Sequence, residues 1–170
     1  MSSDMLTDPH LQRALDLIDS ATRDFTSSDW ETGAPGRWSR AAILEHLGKA
    51  YAATAYILDK CVHDGAPKGT APAWRQRLFT WLIVDVGWFP TGARAPAMTL
   101  PEGMAGAEAL AYARRSLQAL DEAAVRCAAA FAPAARVATH PILGGFTVDQ
   151  WRRFHWSHTR HHVRQIARRR

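Results

Sequence analysis

The sequence predicts an all-α protein, a four-helix bundle, on three observations. Apolar residues recur at helical spacing in four long segments. The same segments are rich in Ala, Leu, Arg and Gln, which favour helix by intrinsic propensity. No segment shows convincing alternation of apolar and polar residues, so no strand is expected. The chain has 170 residues, the size of one ordinary domain, and residues 1–170 are therefore expected to share a single core.

The first two helices have recognisable starts. The first is predicted over residues 9–25, with Asp8 placed to cap it and a proline at its first position. A stretch rich in Gly and Pro at residues 33–36 then interrupts the chain. The second helix is predicted to begin after Ser39, an N-cap candidate, and to end near Gly65.

A long crossover connection is predicted over residues 65–105, where five prolines leave only a short apolar helix at 74–86. The third helix is predicted over residues 107–131, and its alanines suggest close helix packing. Its predicted inner side carries Leu110, Leu117, Leu120 and Val125. The fourth begins at a capping-box pattern, Thr147 with Gln150 three residues later, and continues towards the C-terminus.

Composition excludes several classes of protein. The longest apolar stretch, residues 78–89, has 12 residues and contains an aspartate, so no membrane span is predicted. The polar N-terminus does not resemble a secretory signal, and a cytoplasmic location is expected. Cys61 and Cys127 form neither a CxxC pair nor a disulfide framework, which predicts two buried thiols. The net charge of +5 comes from residues 151–170, which hold seven arginines and no acid.

Histidines are concentrated in the fourth predicted helix. Four of the eight lie within eight residues of one another: His155, His158, His161 and His162. His158 and His162 are four residues apart, so they project from one face and can direct their imidazoles at one metal ion. His161 points about 100° away from His162. Trp151, His155 and Gln165 share the face of the pair and are predicted to line a cavity, although Trp151 also suits an ordinary core position.

A tight site needs a third ligand, and His46 is the best candidate, because it lies on the apolar side of the second helix between Ile43 and Leu47. It is about 10 Å from the start of that helix, while His162 and His158 are about 10 and 16 Å from the end of the fourth. These depths match if the two helices are antiparallel. An up-down-down-up topology, with the long crossover between helices 2 and 3, satisfies that condition.

The same histidines could instead have a purely structural role. A lone buried histidine is more often a hydrogen-bonded core residue than a ligand, and HxxxH also occurs by chance on solvated helices. The spacing alone does not decide between the two interpretations.

Several short motifs resemble the DinB-like (DinB/YfiT) superfamily of metalloenzymes. They span the chain from the second helix to the C-terminus: Trp38-Ser39, Glu45-His46-Leu47, the run from His140 to Thr147, Gln150-Trp151, and the HxxHHxxQ pattern from His158 to Gln165. The middle third of the chain matches only by length. Many relatives have Gly before the last glutamine, where this chain has Arg164.

The resemblance implies a four-helix bundle of up-down-down-up topology that is frequently a homodimer. It implies a divalent metal ion, usually nickel or zinc, held by His46, His158 and His162. It also implies an enzyme, with thiol-dependent S-transferases, hydrolases and isomerases among the characterised members. The expected partners are a small-molecule substrate or a thiol cosubstrate. No general base is identified. Glu45 points away from His46, and no pattern in the sequence favours Asp85 or Asp149 for that role.

Two other functions compete with a metal-dependent enzyme. The arginines of the last helix could contact nucleic-acid phosphates, but no nucleic-acid-binding motif accompanies them. They are explained equally well as residues of a solvent-exposed helix face, where the terminal arginines offset the helix macrodipole. These arginines are Arg152, Arg153, Arg160, Arg164, Arg168, Arg169 and Arg170. A noncatalytic scaffold or dimer could instead use the apolar cluster of Trp81, Leu82, Ile83, Val84, Trp88 and Phe89, for which a core role is the expected one.

Overall fold

The computed structural model describes residues 5–33, 35–89 and 95–168, and this part of the chain is mostly helical. Its α-helices are α1 (Pro9–Thr22), α2 (Ser27–Trp30), α3 (Arg40–His63), α4 (Trp74–Thr80), α5 (Gly106–Ala130) and α6 (Val148–Ala167). A π-helical turn, Trp81–Val86, continues α4, and a 3₁₀ turn covers Ala97–Thr99. Two short strands, β1 (Ala138–His140) and β2 (Gly144–Phe146), pair antiparallel. Among the described helices, none is long and apolar enough to cross a membrane.

The predicted helix starts are confirmed. The Asp8 side chain accepts hydrogen bonds from the first turn of α1, and the Ser39 hydroxyl caps α3. Thr147 and Gln150 form the reciprocal capping box of α6. The first helix is shorter than predicted, because α1 ends at Thr22 and the separate turn α2 follows it.

The prediction that the chain has no strand was wrong, because residues 138–146 form a β-hairpin. Each of its strands has only three residues, too few to produce a recognisable alternation of apolar and polar positions. The turn is stabilised by the Nδ1 atom of His140, which accepts hydrogen bonds from the backbone N–H groups of Ile142 and Leu143, each at 3.2 Å. Gly145 faces the crossover so closely that a Cβ there would lie 2.1 Å from the carbonyl oxygen of Thr70. The hairpin leads directly into α6, which begins two residues after β2 ends.

The α3 and α5 helices make the most extensive packing contact in the described chain. A Cβ on Gly48 would lie 2.6 Å from the Tyr112 ring, so glycine permits the close approach of the two backbones. Near the other end of α3, Asp59 forms an ion pair with Arg126. Both partners advance along the chain in the same order, so α3 and α5 run parallel.

Contacts across the other helix pairs fix their directions in the same way. His46 meets His158, and Thr54, further along α3, meets the earlier His155, so α3 and α6 run antiparallel. Asp8 pairs with Arg152 and Arg13 lies over Trp156, so α1 and α6 run parallel. The beginning of α3 therefore lies beside the last part of α6, which brings distant histidines together.

The predicted inner residues are mostly buried. Both cysteines are buried free thiols, as expected, and burial is the main cause that raises the pKa of Cys127 to about 12. In α5, Leu117 and Leu120 are in the core, whereas Val125 is exposed. The apolar cluster at 81–89 is divided: Ile83 and Val84 are buried, whereas Trp81 and Trp88 are 53% and 51% exposed. The core role expected for that cluster holds for only part of it.

Candidate metal centre

Three histidines from two helices meet at one point. The Nε2 atom of His158 lies 3.2 Å from Nε2 of His46 and 3.1 Å from Nε2 of His162. One ligand atom from each histidine lies within 4.8 Å of the other two, and all three side chains are buried. The structure therefore brings together His46, His158 and His162, the three residues predicted as ligands.

The protonation of His46 is set by its other ring nitrogen. Its Nδ1 lies 2.9 Å from the backbone carbonyl oxygen of Thr99, in the 3₁₀ turn of the crossover. A carbonyl oxygen only accepts hydrogen bonds, so Nδ1 carries the proton and donates it. The lone pair of His46 Nε2 is therefore directed towards the other two histidines.

His162 is oriented by Gln165. The Nδ1 atom of His162 lies 3.0 Å from Oε1 of Gln165, and the Nε2 amide of Gln165 lies 3.0 Å from Nε2 of His161. The amide group donates to His161, so its oxygen accepts from His162. This arrangement places the proton of His162 on Nδ1 and leaves Nε2 as a lone-pair donor to a metal ion.

His158 lies between these two lone pairs. Burial lowers the pKa of His158 well below its ordinary value, and repulsion from His162 and His46 adds to the effect. Burial also lowers the pKa of His46, against a smaller opposing effect of the Thr99 carbonyl. These lowered pKa values favour uncharged His46 and His158 at neutral pH, and the uncharged imidazole is the form that binds a metal ion.

Glu45 secures the crossover segment that carries Thr99. Its carboxylate accepts hydrogen bonds of 2.7 to 3.1 Å from the backbone N–H groups of residues 102–104 and pairs with Lys49 at 3.2 Å. Burial opposes the charge, but these hydrogen bonds outweigh it and hold the pKa of Glu45 below its usual value. Sequence reasoning placed Glu45 away from His46 and assigned it no role. It acts instead by fixing the loop whose carbonyl orients His46.

Aromatic rings surround the three histidines. Trp38 lies against His46, with ring centroids 4.9 Å apart, and Phe154 stacks on His158 at 5.4 Å. Phe89 contacts both His158 and His161. This apolar shell limits water around the nitrogen atoms and strengthens electrostatic interactions there.

A cavity of about 240 Å³ adjoins the centre, and His46 and His158 form part of its wall. Trp151 and His155, which the sequence predicted as lining residues, are also in the wall. Trp151 is at the same time a core residue, because it is buried against Phe146. Gln165 is not among the described lining residues. Its place is beside His162, as the group that orients that ligand.

The remaining candidates lie apart from the centre. Asp85 and Asp149 both pair with Arg153 and line no part of the described cavity wall, so neither is placed as a general base. Arg152 pairs with Asp8 at 3.3 Å, and Arg160 lies over the Trp156 ring. Arg169 and Arg170 lie outside the described residues. Three of the arginines of the last helix, Arg152, Arg153 and Arg160, thus contact acidic or aromatic side chains of the protein itself.

The chain belongs to the family DUF1569, a family of proteins of unknown function, which matches residues 9–169. No curated protein and no solved structure matches the chain.

Proposed function

We propose that this protein is a divalent-metal-dependent enzyme whose ion is held by Nε2 of His46, His158 and His162. One observation carries the proposal: two of the three nitrogens are forced to be acceptors by the partners of their Nδ1 atoms. These two acceptors, on His46 and His162, both face Nε2 of His158, at 3.2 and 3.1 Å, and such a buried arrangement is unfavourable unless a cation or a proton lies among the three nitrogens.

The donor set suits a catalytic centre. Three neutral imidazoles with further coordination positions open are typical of zinc and nickel sites that bind water or substrate. When bound, the ion would lower the pKa of a coordinated water or thiol and so supply a nucleophile near neutral pH. The adjoining cavity offers room for a small substrate beside His46 and His158.

The reaction class that we propose is thiol-dependent S-transfer or hydrolysis, with a small molecule as substrate. This choice rests on the resemblance to the DinB-like superfamily, which stays a prediction. We also propose that α1, α3, α5 and α6 form a four-helix bundle of up-down-down-up topology. The parallel α3–α5 and α1–α6 pairs and the antiparallel α3–α6 pair support this arrangement.

The test compares the nickel- and zinc-loaded wild type with His162→Ala. Each protein is assayed for conjugation of a low-molecular-weight thiol to 1-chloro-2,4-dinitrobenzene and for hydrolysis of 4-nitrophenyl acetate. The proposal expects turnover that requires the metal and that is lost in His162→Ala. A wild-type protein that binds one metal ion but turns over neither substrate would contradict the proposed reaction class and favour a metal-binding scaffold.

A homodimer is a second proposal, supported by exposed aromatic side chains. Trp74, Trp81 and Trp88 are each at least half exposed on one crossover segment, and burying such surface is a common reason for subunits to pair. Light scattering coupled to size exclusion should give twice the chain mass for the wild type and a single chain mass for Trp81→Ser. A monomeric wild type at micromolar concentration would contradict the dimer.

A further inference from the structure

His140 lies in the wall of the cavity beside the metal centre, and its ring offers a hydrogen-bond donor. Its Nδ1 atom accepts from the backbone N–H groups of Ile142 and Leu143, so the proton of the ring is on Nε2. Burial lowers the pKa of His140 to about 4, and the ring is therefore neutral at pH 7. Its Nε2–H can donate to a ligand but cannot accept from one.

This donor has no partner in the described chain and is accessible to solvent. No described residue hydrogen-bonds to Nε2 of His140, yet this atom is not buried, unlike Nε1 of Trp151 and Nδ1 of His155, which also have no partner. The ring is fixed in place, since it stacks on Phe146 with centroids 5.8 Å apart and meets Phe154 at 4.9 Å. A molecule in the cavity can therefore accept a hydrogen bond from a ring that is already oriented.

The cavity extends from the metal centre to the hairpin. Its wall includes His46 and His158 from the centre and residues 139–141 from the hairpin. The Phe154 ring lies between the two, because its centroid is 5.4 Å from that of His158 and 4.9 Å from that of His140. The two histidine rings are thus at most about 10 Å apart. One small molecule can reach both the metal centre and His140.

Charge along the cavity wall has one sign. The described residues of the wall include no Asp, Glu, Lys or Arg. Under the proposed function, the full charge at this described wall is that of the divalent ion beside His46 and His158. An anionic group is attracted to the ion, whereas a positively charged group is repelled by it and meets no carboxylate in the described wall. The wall therefore favours a ligand with an anionic end and disfavours a cation.

We propose that His140 selects the substrate of the metal centre by donating its Nε2–H to an oxygen atom of that molecule. The substrate is a small compound with an anionic metal-binding end, an oxygen acceptor and no positive charge. Apolar side chains such as Ala53, Ile57 and Phe154 contact the part between its two polar ends. The inference rests on the proposed function, because it names the substrate class of that same site.

A matched pair of thiols tests the exclusion of cations. The (2-mercaptoethyl)trimethylammonium ion and 3,3-dimethylbutane-1-thiol have the same shape and differ in one positive charge. Binding to the nickel-loaded wild type is followed by the thiolate-to-nickel charge-transfer absorption. The ammonium compound should bind at least about tenfold more weakly, because the ion repels it and no acidic side chain of the described wall offsets the charge. Affinities within threefold of each other would overturn this part of the proposal.

A second pair of thiols tests the contact with His140. In 3-methoxypropane-1-thiol an ether oxygen takes the place of one methylene group of pentane-1-thiol. His140→Asn keeps an acceptor for the turn but removes the donor from the position of Nε2. It should weaken binding of the ether about fivefold and leave binding of the alkane thiol within about twofold. Equal losses for the two thiols, or no loss for the ether, would refute the contact.

His140→Gln separates the ligand contact from the structural role of the ring. Glutamine keeps a nitrogen donor near the position of Nε2 but has no acceptor at the position of Nδ1. This variant should unfold at a lower temperature than the wild type and still bind the ether within about twofold of it. Loss of ether binding in this folded variant would contradict donation from Nε2. His63→Gln alters an exposed histidine and should leave both affinities unchanged.

The same titrations separate this inference from the proposed function. A wild type that binds nickel but neither thiol, or both thiols without dependence on His140, would contradict this inference and leave the metal centre standing. A wild type that shows the predicted preferences but no turnover would contradict the proposed reaction class alone. A wild type that binds no nickel would contradict both proposals.

Discussion

Gln165 gives the clearest test of how the protein orients its proposed metal ligands. Its Oε1 accepts the Nδ1 proton of His162 at 3.0 Å, and replacement by leucine removes that acceptor while keeping a similar volume. His162 is then free to rotate or to move its proton to Nε2, the nitrogen needed for the metal. Loss of an orienting hydrogen bond of this kind typically costs 10- to 100-fold in metal affinity, about 1.4 to 2.8 kcal/mol.

The assay is competition for zinc between the protein and a chromophoric chelator at pH 7.5. Gln165→Leu should bind zinc about 10- to 100-fold more weakly than the wild type. Gln165→Glu keeps an acceptor and adds a negative charge, so it should bind at least as tightly. His161→Leu removes only the group to which the Gln165 amide donates, at 3.0 Å, and should have a much smaller effect. Wild-type affinity in Gln165→Leu would refute this account of His162.

The remaining predictions concern three other side chains. His158→Ala should lose the metal while circular dichroism shows near-wild-type helicity, and stoichiometric metal in this variant would contradict its assignment as a ligand. Glu45→Ala leaves the backbone donors of residues 102–104 unpaired, so urea denaturation should show a loss of about 3 kcal/mol, with Lys49→Ala as the milder control. Burial lowers the pKa of His140 from 6.5 to about 4, so the unfolded chain binds more protons between these values and stability is lost as pH falls through this range. At its steepest, His140 contributes about 1.4 kcal/mol per pH unit to the slope of the free energy of unfolding against pH. His140→Asn keeps an acceptor for the turn and should reduce this slope by that amount. An unchanged slope would contradict the prediction.

The parts of the molecule that the sequence predicted depend on local patterns. Asp8, Ser39 and Thr147 cap helices through contacts within three residues, so the caps could be read directly. The spacing of His158 and His162 places them on one face of any helix. His46 required one further step, the matching of depths along two helices, and the structure places it beside the pair.

The parts that sequence reasoning missed depend on contacts between distant segments. Glu45 binds backbone groups 57 to 59 residues away, and nothing near it along the chain indicates that partner. The hairpin at 138–146 is held partly by the distant Thr70, whose carbonyl oxygen accepts a hydrogen bond from Gly145 N–H at 3.1 Å, and its strands are too short to show an alternating pattern. Val125 fits the helical apolar stripe but is 38% exposed, because periodicity defines a face and not the neighbour that covers it.

The central claim is that His46, His158 and His162 bind one divalent metal ion. Its most direct test is elemental analysis of untagged protein as purified, with wild type, His46→Ala and His162→Ala prepared in parallel. The account predicts about one equivalent of nickel or zinc in the wild type and little in either variant. Equal metal content in all three proteins, or none in the wild type even after reconstitution, would contradict it.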